Sequence, residues 1–220
     1  MRKLRIAAGG TAGNMPQIGH LALLKLLMNM KAVGLKEFDL VFCILSGESN
    51  QKNHKILAPP DDRIAMMDLM IPRYLRIATK PDLIVRYDDA YSINSPTAEW
   101  IARIQHSYPG SEITWYTGAD PVVPRAEFNG KSEIEAQWYR GEHLFRNQRF
   151  LVVPRPGLGI LPKELPPNFQ VINTLLPGIS SSMIRELIAE GKPFEQFVPR
   201  AVAQYIKTHG LYGYKEKNRG

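Results

Sequence analysis

The segment 4–27, LRIAAGGTAGNMPQIGHLALLKLL, restricts the fold more than any other part of the chain. A short apolar run over residues 4–8 meets Gly9-Gly10-Thr11, crosses a loop with Gly13, Asn14 and Pro16, and leads into a Leu-rich amphipathic stretch beginning near Gly19-His20. That order is strand, glycine turn, helix. Two glycines at the end of a first strand let another group approach the backbone, and the helix start beyond them offers N–H groups to an anion. The geometry suits a phosphate. The spacing is not G-x-G-x-x-G and no G-K-[ST] follows it, so this stretch is neither of the two common glycine loops.

The remainder alternates strand and helix. Residues 38–45 are apolar enough for a strand buried on both faces of a parallel sheet. After a polar loop, Asp61-Asp62 are placed to cap a helix over residues 63–71, with Ile64, Met67, Leu69 and Met70 as its core stripe. Residues 81–87 read as a third strand, and Ser95-Pro96 as an N-cap and first helical position for a helix through His106. The next strand, residues 112–117, ends in Gly118-Ala119-Asp120. An acidic residue just past the carboxyl end of a parallel strand either meets a ligand or sits in an ordinary surface turn. Ser132 and Glu135 form a capping box for a helix towards Phe145 that carries Trp138-Tyr139, where Trp138 is a core residue or a ring-stacking one. Short strands follow at residues 150–153 and 169–172. The alternation predicts a single α/β domain over residues 1–220, a Rossmann-like doubly wound, mainly parallel sheet with helices on both faces. Residues 179–212 form its C-terminal helical segment.

Composition excludes several classes. The net charge of +7 is mostly terminal: Arg2, Lys3 and Arg5 stand at one end, and Lys215, Lys217 and Arg219 at the other, offset by Glu216. No basic stripe interleaved with aromatics suggests a nucleic-acid partner. No apolar run approaches the roughly 20 residues of a membrane span, and the start lacks a signal-peptide core. The single cysteine, Cys43, lies in an apolar strand, and the five histidines show no metal-ligand spacing. A cytoplasmic protein is expected.

The stretch Ile179-Ser180-Ser181-Ser182-Met183-Ile184-Arg185 opens a helix whose buried face is Met183, Ile184, Leu187 and Ile188. Serine is a normal cap there. Arginine in a first turn opposes the helix dipole by some tenths of a kcal/mol unless an anion lies nearby. Either a polyphosphate binds at this start or the guanidinium is simply solvated.

Taken together, these motifs resemble those of the nicotinate/nicotinamide mononucleotide adenylyltransferases, within the nucleotidylyltransferase superfamily. GGTAGNMPQIGH is similar to their GGTFDPPHxGH, with Ala12-Gly13 in place of Phe-Asp, one extra loop residue, and Gln17 where the first histidine stands. ISSSMIR matches ISSTxIR except for Ser182. His54-Lys55 resembles their PHK, Arg63 and Met66 their R..M, residues 91–95 their YTxDT, Gly118-Ala119-Asp120 their GAD, Trp138-Tyr139 their W(Y/K), and residues 152–157 their VxRPG stretch. The segment between GAD and Trp138 is about ten residues longer than the family pattern.

The resemblance implies adenylyl transfer from ATP to nicotinate or nicotinamide mononucleotide, giving a dinucleotide and pyrophosphate. By it, Gly9, Gly10, Thr11, Gly19, His20, Gly118, Asp120, Ser181, Ser182 and Arg185 bind ATP. His20, Gln17 and Arg185 act on the reacting phosphates, and Lys55, Ser95, Trp138 and Arg155 face the mononucleotide. Mg²⁺ arrives mainly through the ATP phosphates, with no protein metal site. A homo-oligomer is left open. Gln17 lacks the charge of a histidine, so two alternatives stand: transfer to a different phosphorylated acceptor, or a weakly active or inactive nucleotide-binding relative.

Overall fold

A computed structural model describes residues 2–47, 58–76, 81–153, 165–172 and 176–215. Among these, six strands form one sheet: β1 (Arg5–Thr11), β2 (Leu40–Leu45), β3 (Asp82–Arg86), β4 (Glu112–Gly118), β5 (Arg149–Val153) and β6 (Phe169–Val171). Their order is β3-β2-β1-β4-β5-β6 and every pairing is parallel. This is the doubly wound arrangement, with the winding direction reversing between β1 and β4.

The helices are α1 (Ile18–Leu27), α2 (Pro60–Met70), α3 (Arg73–Arg76), α4 (Thr97–Ser107), α5 (Glu133–Gln137), α6 (Gly141–Asn147), α7 (Ser181–Ala189) and α8 (Arg200–Thr208). Strand side chains alternate between two apolar layers, as a period of two requires. Ala7, Cys43 and Tyr116 face the layer built with α1, α2, α7 and α8. Ala8, Phe42 and Trp115 face the layer built with α4, α5 and α6. Both faces are covered, so the central strands read as continuous apolar runs.

Several local expectations are corrected. Gly9 and Gly10 do not break the first strand; they pair with Cys43 and Ile44 as residues of β1. The capping-box helix stops at Gln137 and restarts at Gly141, with Trp138 extended (ψ 143°) and Arg140 left-handed (φ 56°) between them. Gly141 permits this: a Cβ there would lie 1.8 Å from the Ile134 carbonyl, so only glycine lets α6 fold back onto α5. Asp61 and Asp62 lie inside the first turn of α2, behind Pro60, where their charges suit the dipole. Pro96, not Ser95, occupies the cap of α4. Leu69 is 41% exposed, and Met66 fills the core in its place.

Arg63 on α2 is 1% exposed. Its guanidinium donates to the carbonyls of Ala12 (3.0 Å), Ser46 (2.7 Å) and Ala90 (2.8 Å), so one side chain ties together the chain leaving β1, β2 and β3. Arg63→Met should leave three inward carbonyls without their donors and lower stability by about 3 kcal/mol in urea unfolding. A loss below about 1 kcal/mol would show that the carbonyls find other partners.

At the C-terminal end, Lys207 Nζ lies 2.5 Å from Glu195 Oε1. That hydrogen bond, with backbone N–H donors beside it, holds the Glu195 carboxyl at about 2. A depressed carboxyl stabilises the fold above its unfolded value of about 4.3 and loses that contribution as pH falls towards 2. Both side chains are at least 30% exposed, so the pair contributes only about 0.5–1 kcal/mol. Glu195→Gln should remove that much acid sensitivity from the unfolding free energy between about pH 4.3 and pH 2.

Candidate active site

From β1 the chain crosses to α1 on one face of the sheet, and from β4 to α5 and α6 on the other. Two adjacent strands whose connections diverge leave a crevice at their carboxyl ends. A cavity of about 260 Å³ lies there. Gly10 and Thr11 border it from β1, Gln17, Gly19 and His20 from the start of α1, and Gly118 and Asp120 from the end of β4. Its apolar walls include Leu23, Leu24, Met67 and Met70.

The glycines divide the labour. A Cβ on Gly9 would sit 2.4 Å from the Tyr116 ring and 2.6 Å from its carbonyl, so Gly9 is a packing glycine beneath the cavity and does not line it. On Gly10 a Cβ would meet only the Ile44 carbonyl at 3.9 Å, and on Gly118 nothing within 4 Å. Those two leave the backbone open to a ligand. Tyr116, a lining residue, donates to the Phe42 carbonyl at 2.8 Å, and burial pushes its hydroxyl well above the usual range. It stays uncharged.

Gln17 occupies the N-cap of α1 with extended backbone (φ −139°, ψ 170°). Its Oε1 accepts from the Gly19 N–H, its Nε2 donates to the Ile179 carbonyl at 3.0 Å, and its own N–H donates to His20 Nδ1 at 3.2 Å. Ser181, Ser182 and Arg185 do not line the cavity. Instead Ser181 Oγ donates to the Met15 carbonyl at 2.8 Å, and Arg185 donates to the Asn14 carbonyl and to Ser182 Oγ (3.1 Å). Arg185, expected in the first turn, is the fifth residue of α7 and meets a carbonyl of the β1–α1 loop.

On the acceptor side, neither Ser95 nor Trp138 lines the cavity. Ser95 Oγ donates to Asp89 Oδ1 at 2.9 Å and accepts from Arg103 at 3.0 Å. Trp138 is half-buried against the α4–α6 layer, on the other side of the sheet from the layer holding Tyr116. Lys55 and Arg155 fall outside the described residues. The longer segment after Asp120 supplies Arg125, which donates to the Asp120 carbonyl at 3.0 Å and pairs with Glu127 (3.3 Å) and Glu133 (3.7 Å).

Sequence reasoning passed over two residues. Asp89 is 4% exposed and accepts from the Ser95 N–H and hydroxyl and from the Trp100 indole. It follows the carboxyl end of β3, the same signal that drew attention to Asp120. Asn14, also buried, accepts from the Ala58 N–H at 3.0 Å through its side chain and from Arg185 through its carbonyl. A loop asparagine in a polar sequence carries no mark of that double use.

The cytidylyltransferase-like family model matches residues 8–187, from mid-β1 into α7. The chain belongs to the cytidylyltransferase-like family. Among curated relatives, the probable nicotinate-nucleotide adenylyltransferase of Bacteroides fragilis is 27% identical over 206 residues, covering 94% of this chain and 92% of the relative. That of Geobacillus kaustophilus is 28% identical, covering 93% and 84%. Among solved structures, the Plasmodium falciparum nicotinic acid mononucleotide adenylyltransferase complexed with NaAD superposes with a TM-score of 0.72 at 17% identity, over 97% of this chain and 100% of that one. At that identity the likeness establishes the fold alone.

Gly9→Ala should destabilise the fold by about 2–3 kcal/mol, because both the ring and the backbone of Tyr116 block a methyl. Gly10→Ala should cost less than about 1 kcal/mol. Urea unfolding midpoints of the two variants check the contrast; equal losses would contradict the division of roles.

Proposed function

We propose that the chain transfers the adenylyl group of ATP to nicotinate mononucleotide, releasing pyrophosphate and forming the deamido dinucleotide. The observation that carries this is the cavity at the β1/β4 switch point, bordered by Gly10-Thr11, His20 and Asp120 in the order of the motifs. The names of the curated relatives supply the acceptor.

The acceptor 5′-phosphate oxygen attacks the α-phosphorus of ATP, and the bond from that phosphorus to the bridging oxygen of the β-phosphate breaks. Such chemistry needs alignment of two anions and neutralisation of leaving-group charge more than covalent help. On this reading the open backbone of Gly10 and Thr11 receives phosphate and sugar, His20 donates to a phosphate oxygen, and Asp120 accepts from the adenosine ribose. Ser181, Ser182 and Arg185 brace the loop and bring the start of α7 towards the triphosphate, where its unpaired N–H groups favour anions. Lys55, Ser95, Trp138 and Arg155 are assigned to the mononucleotide by their motif positions.

Asp120 is the sole carboxylate among the described cavity residues, and the described residues hold no group of three or more His, Cys, Asp or Glu side chains suited to a metal. This donor set fits Mg²⁺ carried in on ATP, where it supplies charge neutralisation to the phosphates. A single cysteine and the dependence on ATP support a cytoplasmic setting. No described helix is long and apolar enough to cross a membrane.

The test is pyrophosphate release with ATP and Mg²⁺, comparing nicotinate with nicotinamide mononucleotide. Robust turnover with the nicotinate form is expected, and His20→Ala should lower kcat by about 10²–10³-fold. Asp120→Ala should chiefly raise KM for ATP. No pyrophosphate with either acceptor would overturn the proposal.

A further inference from the structure

We infer that Gln17 is a positioning residue, whose carboxamide locks the start of α1 so that the cavity residue His20 is held as its Nε2–H tautomer. The catalytic consequence rests on the adenylyl-transfer reading; the tautomer does not.

Glutamine is not a favoured N-cap, since the shorter Ser, Thr, Asp and Asn reach the first-turn N–H groups with less entropy loss. What the longer side chain adds here is reach. While Oε1 accepts from Gly19, Nε2 spans to the Ile179 carbonyl at 3.0 Å, 162 residues away in the chain and two before α7. Asparagine or serine could cap but could not make that second bond. Gln17 is 6% exposed and its amide folds over a glycine: a Cβ on Gly19 would lie 2.7 Å from Oε1. Both halves of the carboxamide are thereby engaged within the protein.

Clamped in this way, residue 17 directs its own N–H at His20 Nδ1, at 3.2 Å. A ring nitrogen that accepts cannot carry hydrogen, so the neutral ring bears its proton on Nε2. That tautomer equips His20 to donate to a phosphate oxygen through Nε2, the role adenylyl transfer asks of it. The same clamp joins the β1–α1 loop to the approach to α7, beside the Ser181 and Arg185 contacts with Met15 and Asn14. A neutral imidazole also has one acceptor and one donor at similar spacing, so histidine at position 17 can replace both bonds of the amide. Glutamate keeps the acceptor but brings no donor to Ile179.

The test is long-range ¹⁵N–¹H NMR of the histidine rings at pH 8, where an unperturbed imidazole is neutral, with His20 assigned through His20→Gln. The unaltered protein should show the Nε2–H pattern at His20. Gln17→Glu should shift it towards a tautomer mixture and lower kcat by about tenfold, with KM for ATP changed less. Gln17→His should restore both the pattern and kcat. A mixture or the Nδ1–H form in the unaltered protein, or an unchanged pattern in Gln17→Glu, would overturn the inference. Gln17→Ala extends the series if it folds; Gln17→Glu and Gln17→His decide the question without it. Absence of pyrophosphate from the unaltered protein would overturn the functional reading alone, because the ring pattern is read without turnover.

Discussion

The constraint on which the rest of the structure depends is the position of β1 between two strands whose connecting segments leave for opposite faces. Covering both sides of a parallel sheet by helices forces such a reversal somewhere, and the backbone cannot close the gap it leaves at the strand ends. In this chain the reversal falls between β1 and β4. The small residues there follow from it: Gly9 admits Tyr116 below, and Gly10 and Gly118 leave the upper backbone uncovered. Packing and access are assigned to successive residues of one strand.

Above that crevice the loop from β1 to α1 is held by parts of the chain remote in sequence. Arg63 takes the carbonyl of Ala12, Arg185 that of Asn14 and Ser181 that of Met15, while Gln17 takes that of Ile179 in return. Backbone carbonyls that a loop would otherwise give to water are bound by donors from α2 and α7. Buried groups satisfied in this way are costly to disturb, which makes the loop a rigid part of the cavity wall. The C-terminal helices therefore contribute to the site by docking, even though the first residues of α7 do not line the cavity.

Much of this was legible in the sequence. The six strands and their parallel arrangement followed from apolar runs separated by helical periodicity, and six of the ten residues assigned to ATP, together with Gln17, do border one cavity. What escaped was set by tertiary contact. The helix expected through Trp138 breaks because Gly141 packs on the Ile134 carbonyl, a contact no local propensity records. Glycines 9 and 10 read alike in a string, yet only one faces Tyr116. Gln17 reads as a lost histidine until its partners are seen, and Asp89 as one more loop acid until Ser95 and Trp100 converge on it.

The central claim is that the α-phosphorus of ATP moves to the acceptor's phosphate. Its most direct test is to supply ATP labelled at the α-phosphate together with nicotinate mononucleotide and follow the label. The label should enter the dinucleotide while unlabelled pyrophosphate is released. Label that stays in ATP, or leaves as free AMP, would contradict it.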